Sequence, residues 1–284
     1  MLNALTVDVE EYFQVEAFRG RVPERDWTHL PSRVAASTRR LLDLFDRHQV
    51  RATFFVVGWV ARRHPDLVRE IAARGHEVGC HSDAHRPIYA LGPDGFRRDL
   101  RAARAALEDA AGTAVAGYRA PTCSVVRTTW WALDILVEEG FRYDSSVFPI
   151  HHDRYGIPDA PRFPYRVRLD SGAEIVEFPM STFRVAGQNL PFAGGGYFRL
   201  LPYPLVRRAI GHLNRREERP AMVYVHPWEV DPEQPRLPAG PLTRFRHYVN
   251  LDRTEAKLDR LLADFAFAPA ARVLAALGFA EVAA

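Results

Sequence analysis

The chain is short of cysteine, has no long apolar run, and carries almost no excess of charge of either sign. Its 2 cysteines, Cys80 and Cys123, form no CxxC pair. They support neither a thiol redox centre nor a cysteine zinc knuckle, and they read as small buried residues. No segment reaches the roughly 20 consecutive apolar residues that a bilayer span needs. The opening MLNALTVDVEEYF sets carboxylates at positions 8, 10 and 11, where a secretory signal would carry a basic start and an unbroken apolar stretch. The expected location is therefore the cytoplasm, extending to the inner membrane surface. The 38 basic residues against 35 acidic ones leave a net charge of +3, too small an excess for the basic stripe that nucleic-acid binding requires.

What is present is a pattern of alternating elements. With 284 residues, 47% of them hydrophobic, the chain can bury one substantial core. The short apolar runs LNALTVDV, ATFFVVG, HEVGCHS, VAGYRA, EIVEFPM and AMVYVH read as strands, and the longer stretches between them have helical period. Such alternation makes a parallel sheet or a (β/α) barrel. Val34, Leu41, Leu44 and Phe45 share one helical face after a candidate Ser32 cap, and Phe96, Leu100, Ala103 and Leu107 share another. Arg97, Arg98, Arg101, Arg104 and Glu108 read as the solvated face of that second helix. Beyond Trp228 a proline-rich loop leads to a helix with a capping-box pattern at Asp252 and Glu255, and to a last helix between Pro269 and Gly278. The expected organisation is a catalytic barrel over residues 1–230 and an extension over 231–284 packed on it.

In such a barrel the reactive groups collect at the carboxyl ends of strands. Asp8 and Glu10, two apart in an extended segment, emerge on one face, whereas Val9 and Glu11 face away. Two carboxylates aimed at a common point suit a base beside a metal ligand, in either order. His81 and His85 in HSDAH directly follow an apolar strand, and their spacing brings two imidazoles to a single ion at roughly 2.0 to 2.1 Å. His76, at the other end of that strand, reads as structural.

These segments resemble the polysaccharide deacetylases that share the NodB homology domain (carbohydrate esterase family 4), over roughly residues 2 to 230. HSDAH is similar to that family's H-S/T-x-x-H metal motif, YRAP to its arginine-proline motif, and YVH to its final strand ending in histidine. The family's first motif has adjacent aspartates, whereas this chain has Asp8-Val9-Glu10. The resemblance implies a distorted (β/α) barrel of about seven strands, with Asp8 as base and Glu10, His81 and His85 as ligands of one divalent ion, zinc with cobalt or nickel as alternatives. TVDVEEYFQVEAF, GGGYFRLLP and FRHYVNLDRTEAKLDRLL also look like a subgroup found with exopolysaccharide biosynthesis and exosortase systems. The implied substrate is then an acetylated amino-sugar glycan or its lipid-linked precursor.

On this reading Arg119 holds Asp8 ionised, His226 is the acid for the departing amine, and Asp144 orients His226. A backbone N–H near the fourth strand is expected to face the oxyanion. Trp228, Tyr197 and Phe198 are the candidate sugar-stacking surfaces, with Pro121 beside them, and the glycines at 194 to 196 read as a mobile rim. Two rivals stand beside it: a hydrolase of a small cyclic amide or ureide on the same fold, and an inactive glycan-binding barrel. The sequence says nothing of oligomeric state.

Overall fold

The computed structural model describes residues 1–152, 154–279 and 282. It begins with β1 (Asn3–Val9), α1 (Val34–Arg47), β2 (Thr53–Val56), α2 (Gly58–Arg63), α3 (Pro65–Ala73), β3 (Glu77–Cys80) and α4 (Gly92–Ala111). Next come β4 (Gly117–Tyr118), α5 (Ala132–Glu138), β5 (Tyr143–Asp144), β6 (Tyr165–Arg168) and β7 (Glu174–Glu177). A hairpin of β8 (Thr182–Val185) and β9 (Gln188–Pro191) leads to α6 (Gly195–Leu200), α7 (Tyr203–Arg215) and β10 (Met222–Val225). The chain closes with α8 (Pro241–Tyr248), α9 (Leu251–Asp264), β11 (Phe267–Ala268) and α10 (Ala270–Ala276).

The expected α/β architecture is present as a curled sheet ordered β10-β1-β2-β3-β4-β5-β7-β6. All neighbours pair in parallel except β6, which runs antiparallel to β7. Among the described residues the order does not close on itself, so the structure is a half-barrel and not the full ring of a (β/α) barrel. The first and last long strands meet, Ala4 pairing with Met222 and Val7 with Val225. β11 takes the edge of β1 that lies before β2 begins, through Asn3 and Ala4.

Strand alternation sorts the two faces of this sheet. Leu5, Val7 and Val9 of β1, Phe54 and Val56 of β2, and Val223 and Val225 of β10 pack against the helices. The other set, Thr6, Asp8, Phe55, Met222 and Tyr224, faces the concave side and delivers polar groups there. The helices hold at their ends by identifiable contacts. Glu11, expected to face away from the site, accepts hydrogen bonds from the Arg33 and Val34 N–H groups and from Ser32. Thus Glu11, and not Ser32, caps α1. The capping box at Asp252 and Glu255 does not form: Asn250 precedes α9 in a left-handed conformation without a side-chain cap, and Glu255 pairs with Arg40.

Asp144 and Glu177 are register partners on β5 and β7, both without solvent exposure. Ser146 Oγ donates to Asp144 Oδ1 at 2.5 Å, and the Val147 N–H to Glu177 Oε1 at 2.9 Å. Burial drives both carboxyls above their ordinary range, Glu177 furthest because the neighbouring Asp144 adds to it. A carboxyl raised by folding stabilises the fold below its ordinary value, and that contribution is lost as pH rises through the folded value. The unfolding temperature is therefore expected to fall as pH rises above the ordinary carboxyl range. Glu177→Gln should flatten that slope in melts followed by circular dichroism across that rise in pH.

Candidate active site and metal centre

The carboxyl ends of β1, β3, β4 and β10 converge on the concave side, and their chemistry begins with Glu10, His81 and His85. One carboxylate oxygen and two imidazole nitrogens from these residues lie within 4.8 Å of one another, all buried. Glu10 Oε2 approaches His85 Nε2 to 2.5 Å but is left without an aligned hydrogen-bond donor. A buried carboxylate oxygen lacking a donor costs free energy unless something else binds it. Two imidazoles and one carboxylate with open positions fit a divalent cation, so the residues fit the ion that the sequence implies.

The groups behind these ligands fix their orientation. His81 Nδ1 lies 2.7 Å from the Arg119 carbonyl oxygen, so its N–H donates there and Nε2 turns to the centre. Burial lowers the His81 pKa to about 4, keeping the ring neutral as a ligand must be. Burial alone would raise Glu10, but His85, then His226 and His81, hold its carboxyl well below the usual range. The Trp228 indole N–H donates to Glu10 Oε1 at 3.0 Å.

The loop that carries both histidines is tightly held. The Gly58 and Trp59 N–H groups at the start of α2 donate to the Ser82 and Asp83 carbonyls at 2.9 and 2.8 Å. Asp99 of α4 accepts from the Asp83 N–H at 2.8 Å. A Cβ at Gly58 would fall 2.5 Å from Asp83 Oδ1 and 2.9 Å from the Ala103 backbone, so only glycine lets α2, α4 and this loop meet. Ser82 and His85 have φ of 64° and 51°, and after β4 Thr122 and Cys123 have 59° and 49°. Left-handed backbone at such residues costs about 1–3 kcal/mol each and persists where the surroundings enforce it.

Arg119 lies at the centre. Its guanidinium donates to Asp8 Oδ1 at 2.7 Å, Thr6 Oγ1 at 2.6 Å, and the Ser145 carbonyl and hydroxyl at 3.0 and 2.9 Å, with the Phe55 ring 4.3 Å away. His226 Nε2 stands 3.8 Å from both Asp8 Oδ2 and Glu10 Oε1. The partner of His226 is Glu229, whose Oε2 lies 3.1 Å from Nδ1, and Glu229 is in turn held by Arg199 at 2.6 Å. Burial opposes charge on His226, but Glu229, Glu10 and Asp8 outweigh it and raise its pKa to about 9. A cation on Glu10 would offset part of that rise.

The structure thus brings Asp8, Glu10, His81, His85, Arg119 and His226 together. Asp144 does not orient His226, because it is committed to Ser146 and Glu177. Trp228 is unavailable for stacking on a sugar. It is buried between His226 and His247, with ring centroids 5.0 and 4.3 Å away, and it serves Glu10 instead. Phe198 is fully buried against Lys257, Pro121 is buried, and Tyr197 is half-buried on α6. The glycines at 194 to 196 are no mobile rim: Gly194 bridges to Tyr224, and a Cβ there would meet the Tyr224 ring at 2.1 Å. Two N–H groups at the end of β4 are committed elsewhere, Arg119 donating to the Cys80 carbonyl and Ala120 to Ser146 Oγ.

Sequence reasoning did not find Glu229 and Arg199. Glu229 lies three residues after His226, a spacing that could have signalled it, whereas nothing local marks Arg199. Two adjoining depressions of about 370 and 680 Å³ open beside the centre, the smaller reaching His85. They share Trp27, Ala84 and Arg86, and the larger exposes Trp59.

Residues 29–140 match the family model described as polysaccharide deacetylase, and residues 145–275 match a domain of unknown function, DUF3473. A chitooligosaccharide deacetylase of Rhizobium leguminosarum bv. trifolii is 38% identical over 26% of this chain and 34% of its own length. The chain thus spans about a third of that relative. A solved structure from Mycobacterium smegmatis, described as a putative polysaccharide deacetylase, covers 94% of this chain and 85% of its own, with a TM-score of 0.60 at 21% identity. An allantoinase structure covers 94% and 86%, with a TM-score of 0.58 at 17% identity. These two establish the shared fold.

Replacing Trp228 with phenylalanine keeps the aromatic stack and removes the hydrogen bond to Glu10. Loss of such a support is expected to weaken divalent-ion affinity by roughly 10- to 100-fold, measured by competition with a chromogenic chelator.

Proposed function

We propose that this chain is a metal-dependent hydrolase that removes N-acetyl groups from amino sugars of a polysaccharide, with an exopolysaccharide or its lipid-linked precursor as substrate. One observation carries the reading: three metal-ligating groups, a carboxylate held by a buried guanidinium, and a histidine held by a carboxylate all meet at one strand end. The match to the polysaccharide deacetylase model and the named activity of the Rhizobium relative support the same substrate class.

A divalent cation on Glu10, His81 and His85, zinc with cobalt or nickel as alternatives, would polarise the acetyl carbonyl and acidify a water at neutral pH. Asp8 takes the proton of the attacking water. Arg119 holds one oxygen of its carboxylate at 2.7 Å, and the other lies 3.8 Å from His226 Nε2. His226, the most open member of the cluster at 16% side-chain exposure, enters as an imidazolium and gives its proton to the amine nitrogen as the C–N bond breaks. Glu229 stabilises that charge, and Arg199 balances Glu229. Water and amide become acetic acid and free amine, the proton taken by Asp8 offsetting the one released by His226, and the acid then loses its proton to solvent as acetate. The half-buried Trp59 in the larger depression offers an aromatic surface for a neighbouring sugar.

The first test is acetate release from acetylated glucosamine oligomers and from crude acetylated exopolysaccharide, with protein stripped of metal and reloaded with zinc or cobalt. Metal-restored release is expected. Turnover of a cyclic ureide without acetate release, in protein shown to hold its ion, would replace this reading with the small-amide hydrolase.

Asp8→Asn should bind the ion normally and lose roughly 10²- to 10⁴-fold in kcat, whereas His81→Ala loses both ion and turnover. Full activity in either variant sinks the mechanism. His226→Ala should slow release of the amine, with a smaller effect on substrates whose leaving amine is a weaker base.

A further inference from the structure

We infer that α8 and the loop before it form a docking surface for an anionic lipid bilayer, seated beside the active site. Leu242, the most exposed large hydrophobic residue among those described at 61%, and Phe245 at 54% both lie on this helix. Three residues apart, they share one helix face. Nothing of the described chain covers them, although the helix itself is firmly held.

Its inner side is built into the site. His247 stacks on Trp228 and meets Gln234 at 2.8 Å. Arg199 donates to the carbonyls of Arg246, His247 and Val249 at 2.9, 2.8 and 3.0 Å, which satisfies the C-terminal end of α8. The preceding loop is pinned by the Leu237 N–H to the Tyr248 hydroxyl at 2.8 Å. The exposed pair is therefore presented on a rigid seat.

Charge names the occupant. Between Glu233 and Asp252 the chain has no carboxylate, while it has Arg236, Arg244 and Arg246. Arg244 and Arg246 are exposed and make no ion pair among the described residues, and Arg236 lies over the Tyr248 ring at 4.2 Å. Elsewhere on this surface arginines are commonly paired, as Arg97 and Arg101 are with Glu139. An apolar face flanked by unpaired arginines, with no acid to repel phosphate, is the composition that partitions into the interface of an anionic membrane. A protein partner with an acidic rim is the other class of occupant. Two isolated apolar side chains among unpaired arginines favour a fluid surface that moulds itself to them. Since Trp228 joins α8 to Glu10, docking would place the bilayer against the helix that backs the metal ligands. The inference stands on α8 alone and does not need the deacetylase reading.

The test is flotation of the full chain with vesicles of phosphatidylcholine alone or mixed with phosphatidylglycerol. Binding to the anionic vesicles only, weakened by salt, is expected. Each arginine near such a surface strengthens partitioning about fivefold, so Arg244→Ser with Arg246→Ser should weaken it by about 25-fold. Leu242→Ser with Phe245→Ser should lower binding by at least about tenfold. Both double variants should keep the wild-type melting temperature and act on soluble acetylated oligomers as wild type does. Absent or equal binding to the two vesicle types overturns the inference. So does self-association in sedimentation velocity that the Leu242 and Phe245 changes abolish, which would assign the face to a second copy.

Discussion

The structure turns on a guanidinium placed where no water reaches. Arg119 is 1% exposed, and a cation there is tolerable only if every donor finds an acceptor and one acceptor carries a full negative charge. Thr6 and Asp8 of β1, the two polar groups of Ser145, and the ring of Phe55 meet that demand. Breaking such a pair by removing one member leaves an uncompensated buried charge and costs about 3–5 kcal/mol. The same requirement forces β1, β2, β4 and the turn after β5 into one register. That register sets Glu10 opposite His81 and His85, so the integrity of the fold and the geometry of the site share one contact.

Around this pair the charges are arranged as alternating layers. Arg119 balances Asp8, the histidines balance Glu10, and His226 is balanced by Glu229, which Arg199 balances in turn. Each carboxylate near the cavity is backed by a cation deeper in the protein or on the opposite wall. The arrangement keeps Glu229 an anion while leaving His226 free to carry a proton. It also gives the buried Trp228 a role: its indole N–H supplies a donor to Glu10 Oε1 without adding another charge.

Much of this was legible from local pattern. Alternation along β1 put Asp8 and Glu10 on one face, and the two histidines stood directly after an apolar strand, so short-range geometry sufficed. What escaped reading depends on contacts between distant segments. β5 is two residues long, too short for any periodic signal, and the β8–β9 hairpin has only a glycine turn to mark it. Trp228 resembled a sugar platform because sequence shows its aromatic character but not the His247 ring that covers it from 19 positions away. Asp144 read as a partner for His226 because its commitment to Glu177 arises only when β5 and β7 pair. GGGYF suggested mobility, whereas those glycines exist to let the Tyr224 ring lie against the backbone.

The pairing of β1 with β10 has a consequence for how the protein comes into being. Asp8 and Glu10 are made more than two hundred residues before His226, yet the three come together at one centre. At 5–20 residues per second, the ribosome holds the first carboxylates for on the order of tens of seconds before their opposite wall exists. During that interval the edge of β1 that will receive β10 is unpaired, a template for any other extended chain. A nascent or truncated polypeptide can therefore bind through that edge, but it cannot possess the assembled site, which appears only when β10 has reached β1.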